Sequence, residues 1–566
     1  MNSCKKMAIS EDFGDFIIDR LMKPPKVFSE LNSKCSAAMS ITSLCIYAPL
    51  TEVLPISINK YPYVTIPSLF ALEDTTALEA SGILRLQNQP VLNLKGQGTV
   101  IGIIDTGIDY THPAFKDSLG SSRIISIWDQ SNNTGTPPAG QFYGTEYSKE
   151  EINTALNSDN PLSIVPETDT IGHGTFIAGV AAGSENVNEG FIGAAPEAEL
   201  IVVKLKPAKQ YLRDYYFIKD GANCFQENDI IFAISYITRK CLELDKPLSL
   251  CIGIGTNRGN HTGAGNLSFT LNRLTENTSS AVSVSMGNEG NKQHHFSGNV
   301  SNNITPTTIE LRIDESQKGL VMELWGHNPQ IFSISITSPT GENIERITPR
   351  LNTSVNYTFL FEETILQIEY KLVESSSGEE LILFRFINPT SGIWRINVYG
   401  ENNLYGEFDA WLPMSEFLYE NTYFLNPDPD ITLTTPAAAS LVMSVSNYND
   451  KTNSISFESS RGFSRNGEVK PDFASPGVNL LGPKAGTNSY TIRSGSSLSA
   501  AITAGAASLF QTWGIVNGNY PELKNSDIKS FLIRGAFRSS TEIYPNNQWG
   551  FGTLDVYNAF EVMRGN

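Results

Sequence analysis

The sequence predicts an α/β fold, a parallel sheet flanked by helices, with a small α+β block in front and an inserted β-sandwich of jelly-roll type. Three observations carry this. Continuous apolar runs "TVIGIID", "AELIVVKLK" and "PLSLCIGIG", with a weaker "SSAVSVSMGNEG", have the texture of parallel strands buried on both faces. Helical stretches such as "GTFIAGVAAG" and "ENDIIFAISYITRKCLEL" lie between them, and alternation of strand and helix argues for an α/β domain. Between about 303 and 430 the texture changes to short β-like runs separated by turn residues, among them "TTIELRID", "LVMELWG", "FSISITSP", "ETILQIEYKL", "ELILFRFINP", "GIWRINVYG" and "GEFDAWLP". The α/β texture then resumes with "AAASLVMSVSNYN", so the β-rich block is an insertion.

The opening block, residues 1–75, has its own pattern. "EDFGDFIIDRL" reads as a short helix or strand, and "AMSITSLCIYAPL", "EVLPISINK" and "YVTIPSLFAL" read as strands rich in Ile, Val, Tyr and Thr. "EDTTALEASGILRLQNQP" reads as a less structured linker. The chain therefore divides into 1–75, 76–302, 303–430 and 431–566, the second and fourth parts forming one α/β domain.

With 566 residues the chain is too long for a single ordinary core. A formal charge of −18 argues against nucleic acid or an anionic membrane as the main partner. The N-terminus lacks the apolar core of a secretion signal, and no run approaches the length of a membrane span, which together predict cytoplasmic synthesis. Six scattered cysteines without metal-ligand spacing point to free thiols.

Four residues carry candidate chemistry. Asp105 ends the strand "VIGIID", where open α/β sheets place their sites, although such an Asp taken alone reads as a cap or turn residue. The nearby Gly96, Gly98 and Gly102 are no dinucleotide fingerprint, because they precede or lie within the strand and do not open a helix after it. His173 stands between two glycines at the start of a small-residue helix, which lets backbone approach the ring and leaves its edge open. Ser497 falls in "RSGSSLSAAITAGAASLF", at the mouth of a buried helix whose positive end favours charge developing on a nearby oxygen. Ser494, Ser496 and Ser499 are then turn, cap or packing residues. Asn288, in "VSVSMGNEGN", follows a strand and offers an amide donor.

The segments "IIDTGIDYTHP", "GHGTFIAGVAAG", "SMGNEG", "KPDFASPG" and "SGSSLSAA" resemble, in order, the motifs of subtilisin-like serine proteases. The resemblance implies a subtilisin-like sheet with Asp105 as triad acid, His173 as base, Ser497 as nucleophile and Asn288 as oxyanion donor. It also implies that Ile254 and Gly255 line one wall of the substrate groove and that Met286, Gly287 and Glu289 line the facing wall. The chain departs from the family where Phe176 replaces a usual His, Ser496 a Thr and Ala501 a Pro; none of these removes a catalytic group. No metal or organic cofactor is required. Structural Ca²⁺ is common in the family, but the residues place no site, and "NPDPD" at 426–430 reads as a loop.

A finer resemblance, through "VVKLKPAKQYLRDYYFI", "SGSSLSAAITAG" and the insertion, is to the clostridial Csp germination proteases. The distinct opening block and the polar linker after it predict that residues 1–75 are a prodomain that helps the rest fold and is cut off between about Ala71 and Gly82. The finer resemblance implies that the prodomain stays bound and that the substrate is a spore cortex-lytic hydrolase precursor, with the protein incorporated into the spore. The competing readings are a signalling pseudoprotease, a related subtilase acting on another protein, and a non-enzymatic β-sandwich binding module.

Overall fold

The computed structural model of the chain describes residues 2–20, 28, 34–72, 79–90, 92–351, 353–401 and 406–564. Its centre is a nine-stranded sheet. Five strands, Ser280–Ser285, Leu248–Ile252, Val100–Asp105, Glu199–Lys204 and Ile124–Asp129, lie side by side in that order and run parallel. Met443–Asn449 and Phe473–Pro476 extend the parallel part at one margin. Antiparallel strands Thr145–Ser148 and Ser454–Ile455 close the two edges, so the sheet is mixed at its rims and parallel where the site lies.

The apolar runs are continuous because both faces are covered. Successive side chains point to opposite faces. Ile101, Ile103, Leu200 and Val202 enter one core with helices His173–Ala182, Ser496–Gln511, Asn525–Gly535 and Val556–Met563. Val100, Ile104, Ile201 and Val203 enter the other, beneath helices Glu227–Glu243 and Asn266–Thr275. The His173–Ala182 and Ser496–Gln511 helices are buried along their whole length. Their Gly and Ala content lets them sit this close to the sheet; large side chains at those positions would hold them away.

The N-terminal block contains a three-stranded antiparallel sheet of Phe13–Asp19, Ser43–Pro49 and Cys35–Ala38, with helix Asn2–Ile9 against it. Four expectations are corrected here. "EVLPISINK" is not a strand, because Leu50–Val53 is a helical turn and the segment after it makes no ladder. The alternation of Ile56 and Ile58 still buries both side chains, while Ser57 Oγ and the Ile58 N–H donate to the Glu369 carboxylate where a strand would find a neighbour. In "YVTIPSLFAL" only Leu69–Leu72 is strand. The stretch expected as a linker carries a short helix, Ile83–Gln87, while residues 73–78, which form part of that stretch and of the processing window, lie outside the described residues. Cys4 and Cys35 form a disulfide, with Cα atoms 5.4 Å apart, because the first helix packs across the Cys35–Ala38 strand; Cys45, Cys224, Cys241 and Cys251 are free and buried.

Residues 295–424 form two antiparallel sheets, of six and five strands, that share one apolar core. The first of these strands, His295–Asn299, begins ahead of the expected boundary at 303 and pairs with Glu407–Trp411. Strands Asn343–Ile347 and Ser354–Thr358 were not foreseen; each is five residues long, mostly exposed, and carries only two apolar residues, Ile344 and Ile347 in one and Val355 and Tyr357 in the other. A separate apolar cluster joins all three parts, with Phe16 and Ile46 from the N-terminal block, Leu212 and Tyr216 from the α/β body, and Trp325 and Trp411 from the sandwich. Among the described residues no helix is long and apolar enough to cross a membrane.

Candidate active site

Asp105 is the last residue of its strand and is 1% exposed. The Thr106 N–H donates to its Oδ1 at 2.7 Å, which fixes that oxygen. Across from it stands His173, the first residue of its helix, with Nδ1 at 2.8 and 2.9 Å from the two carboxylate oxygens. Ser497, the second residue of the Ser496–Gln511 helix, places Oγ 3.3 Å from His173 Nε2. Three side chains from segments 68 and 324 residues apart thus form one row.

The flanking glycines act through the backbone. Gly172 holds φ at +80°, a left-handed turn that starts the helix abruptly at His173. A Cβ on Gly174 would fall 2.2 Å from the Gly107 carbonyl oxygen, so any side chain there would push the helix start off the Asp105 loop. One positioning residue escaped the sequence reading. Asp169, four residues before His173, accepts from Gly172 N, Thr175 N, Thr175 Oγ1 and Thr106 Oγ1, all at 2.7–2.8 Å. It ties the first turn of the His173 helix to the loop behind Asp105. Its signal was an Asp shortly ahead of a helix, the pattern of a helix-starting acceptor.

The crowded hydroxyls at 494–499 have separate partners. Ser494 Oγ accepts from Asn479 N at 3.3 Å, and Ser499 Oγ donates to the carbonyls of Ser475 and Pro476 at 3.0 and 3.2 Å. Asn288 Oδ1 accepts from Ser496 N at 3.2 Å. That bond fixes the amide's rotation and leaves its Nδ2 as the donor end, beside the first turn of the serine helix.

The strand expected to wall a groove, Ile254–Gly255, is paired with another part of the chain. Leu69–Leu72 is the middle strand of a three-stranded antiparallel sheet, with Ile254–Gly255 on one side and Phe225–Gln226 on the other. Leu72 pairs with Ile254 and Ala71 with Gly255. Met286 is buried and its carbonyl accepts from Thr434 N at 2.9 Å, while Gly287, at φ +100°, accepts from Ser460 N. The Glu289 carboxylate accepts from Ser415, Asn257 and His294, so its oxygens are engaged under the sandwich. Among the described residues no group of three or more His, Cys, Asp or Glu side chains is placed to hold a metal ion. In the 426–430 loop, Asp428 accepts from Asp430 N and Asp430 faces Arg461.

The sequence model of the subtilase family matches residues 96–552. The CspB protease of Clostridium perfringens is similar in structure, with a TM-score of 0.77 and 32% identity over 86% of this chain and 96% of that one. Thermitase from Thermoactinomyces vulgaris is 25% identical over 43% of this chain and 68% of its own. The PII-type proteinase of Lacticaseibacillus paracasei is 22% identical over 83% of this chain but only 26% of its own. The chain therefore spans about a quarter of the length of that relative and of the lactococcal proteinases that match beside it.

Proposed function

The chain belongs to the subtilase family, and from that premise we propose that it is a serine endopeptidase whose catalytic groups are Ser497, His173, Asp105 and Asn288. The observation that carries the reading is the row Asp105–His173–Ser497, with 2.8 and 3.3 Å between successive partners. Asp105 accepts from Nδ1–H, which leaves Nε2 as the base facing the serine hydroxyl. As Ser497 Oγ attacks a peptide carbonyl, its proton passes to Nε2, and Asp105 stabilises the imidazolium that forms. The tetrahedral oxygen receives Asn288 Nδ2 and the Ser497 N–H at the positive end of a long buried helix. His173 then returns the proton to the leaving amine, and water repeats the cycle on the acyl-enzyme. A distance of 3.3 Å is at the loose end for a hydrogen bond, as such contacts often are before substrate closes them.

The finer reading is that residues up to the processing point are a prodomain, cut by Ser497 and kept in place. Two observations support it. Leu69–Leu72 lies in the groove as a peptide substrate would, with Leu72 beside the residue that follows Gly253, and Gly253 packs on Ser497. The block is also held by buried polar bonds, Lys209 Nζ to Asp15 at 2.5 Å among them. The scissile bond then falls a few residues beyond Leu72. Likeness to the CspB protease supports a Csp-type role, limited proteolysis of a spore cortex-lytic hydrolase precursor during germination.

The test is expression of the parent chain beside Ser497→Ala. The parent is expected to yield a shorter chain whose first residue lies between Glu73 and Gly82, and to label with a fluorophosphonate. Ser497→Ala is expected to remain one 62.0 kDa chain and to take no label. A parent chain that is neither cut nor labelled would favour the pseudoprotease, and a mutant cut like the parent would overturn self-processing.

A further inference from the structure

The 286–290 loop carries the proposed oxyanion donor, and the structure shows what holds each side of it. On one side the 458–460 segment bonds its backbone: Ser460 N donates to Gly287 O, Glu289 N donates to Ser460 Oγ, and Gly290 N donates to Glu458 O, at 2.9–3.0 Å. On the other side stands the side chain of Glu289, the residue after Asn288. It is 2% exposed and turned away from the groove, toward the inserted sandwich. Ser415, in the segment after the Glu407–Trp411 strand, donates to Glu289 Oε1 through both its N–H, at 3.1 Å, and its hydroxyl, at 2.8 Å. Oε2 receives His294 Nδ1 at 2.8 Å and Asn257 Nδ2 at 3.1 Å. Asn257 Nδ2 also reaches Leu412 O at 3.3 Å, and it lies two residues beyond the groove strand Ile254–Gly255.

One carboxylate thus takes four hydrogen bonds from three separate segments, one belonging to the insertion and one to the substrate-binding strand. Burial alone would push this carboxyl up, but the bonds from His294 and Ser415 outweigh burial and hold it below the usual glutamate range. A buried carboxylate so fully satisfied is a rigid anchor, because any movement leaves an unpaired charge in a dry site. A loop with Gly287 at φ +100° on one side of Asn288 and such an anchor on the other has little freedom to swing its amide.

We propose that Glu289 is a positioning residue for Asn288, and that the inserted sandwich, through Ser415, completes the clamp that holds the oxyanion donor in place. The insertion then takes part in the reaction at one step removed: it sets how well transition-state charge is met, while the groove wall assigned to Glu289 by sequence is left to its neighbours. This rests on Asn288 acting as the oxyanion donor.

The experiment measures the rate of fluorophosphonate labelling at Ser497 in the full chain, with thermal midpoints alongside, for Glu289→Gln and Ser415→Ala, each in the parent and in an Asn288→Ala background. Loss of an oxyanion donor costs about 10²- to 10³-fold, so Asn288→Ala is expected to slow labelling by that much. Glu289→Gln places an amide among donors and is expected to slow labelling about 10-fold in the parent and scarcely at all in the Asn288→Ala background. Ser415→Ala removes one donor of four and is expected to follow the same pattern more weakly, and it serves where Glu289→Gln folds poorly. Equal slowing in both backgrounds, or a fallen midpoint with an unchanged rate, would overturn the clamp. An Asn288→Ala chain that labels at the parent rate would overturn the oxyanion assignment itself, which is a separate result.

Discussion

Asp105 in the α/β body and Asp409 under the inserted sandwich are each 1% exposed and each faces imidazole, yet their surroundings differ in kind. Asp409 accepts from His295 Nε2, His327 Nε2 and Arg465 Nε at 3.1, 2.9 and 2.7 Å. Arg465 goes on to Glu379 at 2.7 Å and to the Trp325 carbonyl at 2.9 Å. Its charge is permanent, so Asp409 keeps a cationic partner at any ordinary pH. Asp105 has instead one imidazole, whose far nitrogen meets a serine hydroxyl. A carboxylate that is to drive proton transfer needs a partner able to give a proton up; one that is to dock two domains needs a partner that cannot. The body and the junction use the same residue types for these opposite ends.

The sharpest way to break the comparison is to make each aspartate an asparagine. Asp105→Asn keeps the shape but favours the wrong imidazole tautomer, and is expected to lower turnover of a peptide substrate about 10⁴-fold with little change in the unfolding midpoint. Asp409→Asn is expected to do the reverse. Removing one member of a buried charged cluster costs about 3–5 kcal/mol, read as a lower midpoint in denaturant, with fluorophosphonate labelling as in the parent chain. Burial opposes ionisation of Asp409, but the His295, His327 and Arg465 contacts win and hold it well below the usual carboxylate range. A depressed native value contributes stability above the unfolded aspartate value, about 3.9, and loses it as pH falls through the native value. The parent chain should therefore weaken below about pH 4 more steeply than Asp409→Asn. Equal acid profiles would show that the cluster is not what holds the junction.

How much of this the sequence carried depends on how local the cause is. The strands Val100–Asp105 and Glu199–Lys204 were legible because burial on both faces writes itself as an unbroken apolar run. The helix starts at His173 and Ser496 were legible because glycine and small residues mark them, and the order of motifs along the chain named the four catalytic candidates. Contacts between distant segments were not legible. Nothing within ten residues of Glu289 announces that Ser415 will claim its carboxylate, and nothing near Ile58 tells that Glu369 will replace a strand neighbour. Cys4 and Cys35 meet only because a helix crosses a strand. Arg465, Asp409 and Glu379 look like ordinary surface charges until the insertion, which carries the two acids, docks on the body at Arg465.

The two regions also differ in how they fill space, which gives the subtlest test. At the junction Trp411 lies between the rings of His261 and His295, with centroids 4.1 and 4.7 Å away, so large flat groups fix the contact. At the site the filler is absence. A Cβ on Gly253 would stand 2.8 Å from Ser497 Cβ and 2.9 Å from Ile177 Cδ1. The isoleucine end can turn aside, but Ser497 Cβ is fixed to the first turn of a fully buried helix. Gly253→Ala is therefore expected to cost about 1–3 kcal/mol as overpacking, less than the Asp409 change. Part of that strain is relieved by shifting Ser497, whose Oγ at 3.3 Å from His173 has no slack to give, so labelling should slow about 10- to 100-fold. An alanine variant with the parent's midpoint and the parent's labelling rate would mean that the strand beside the nucleophile moves freely, and that close packing does not set the serine's reach.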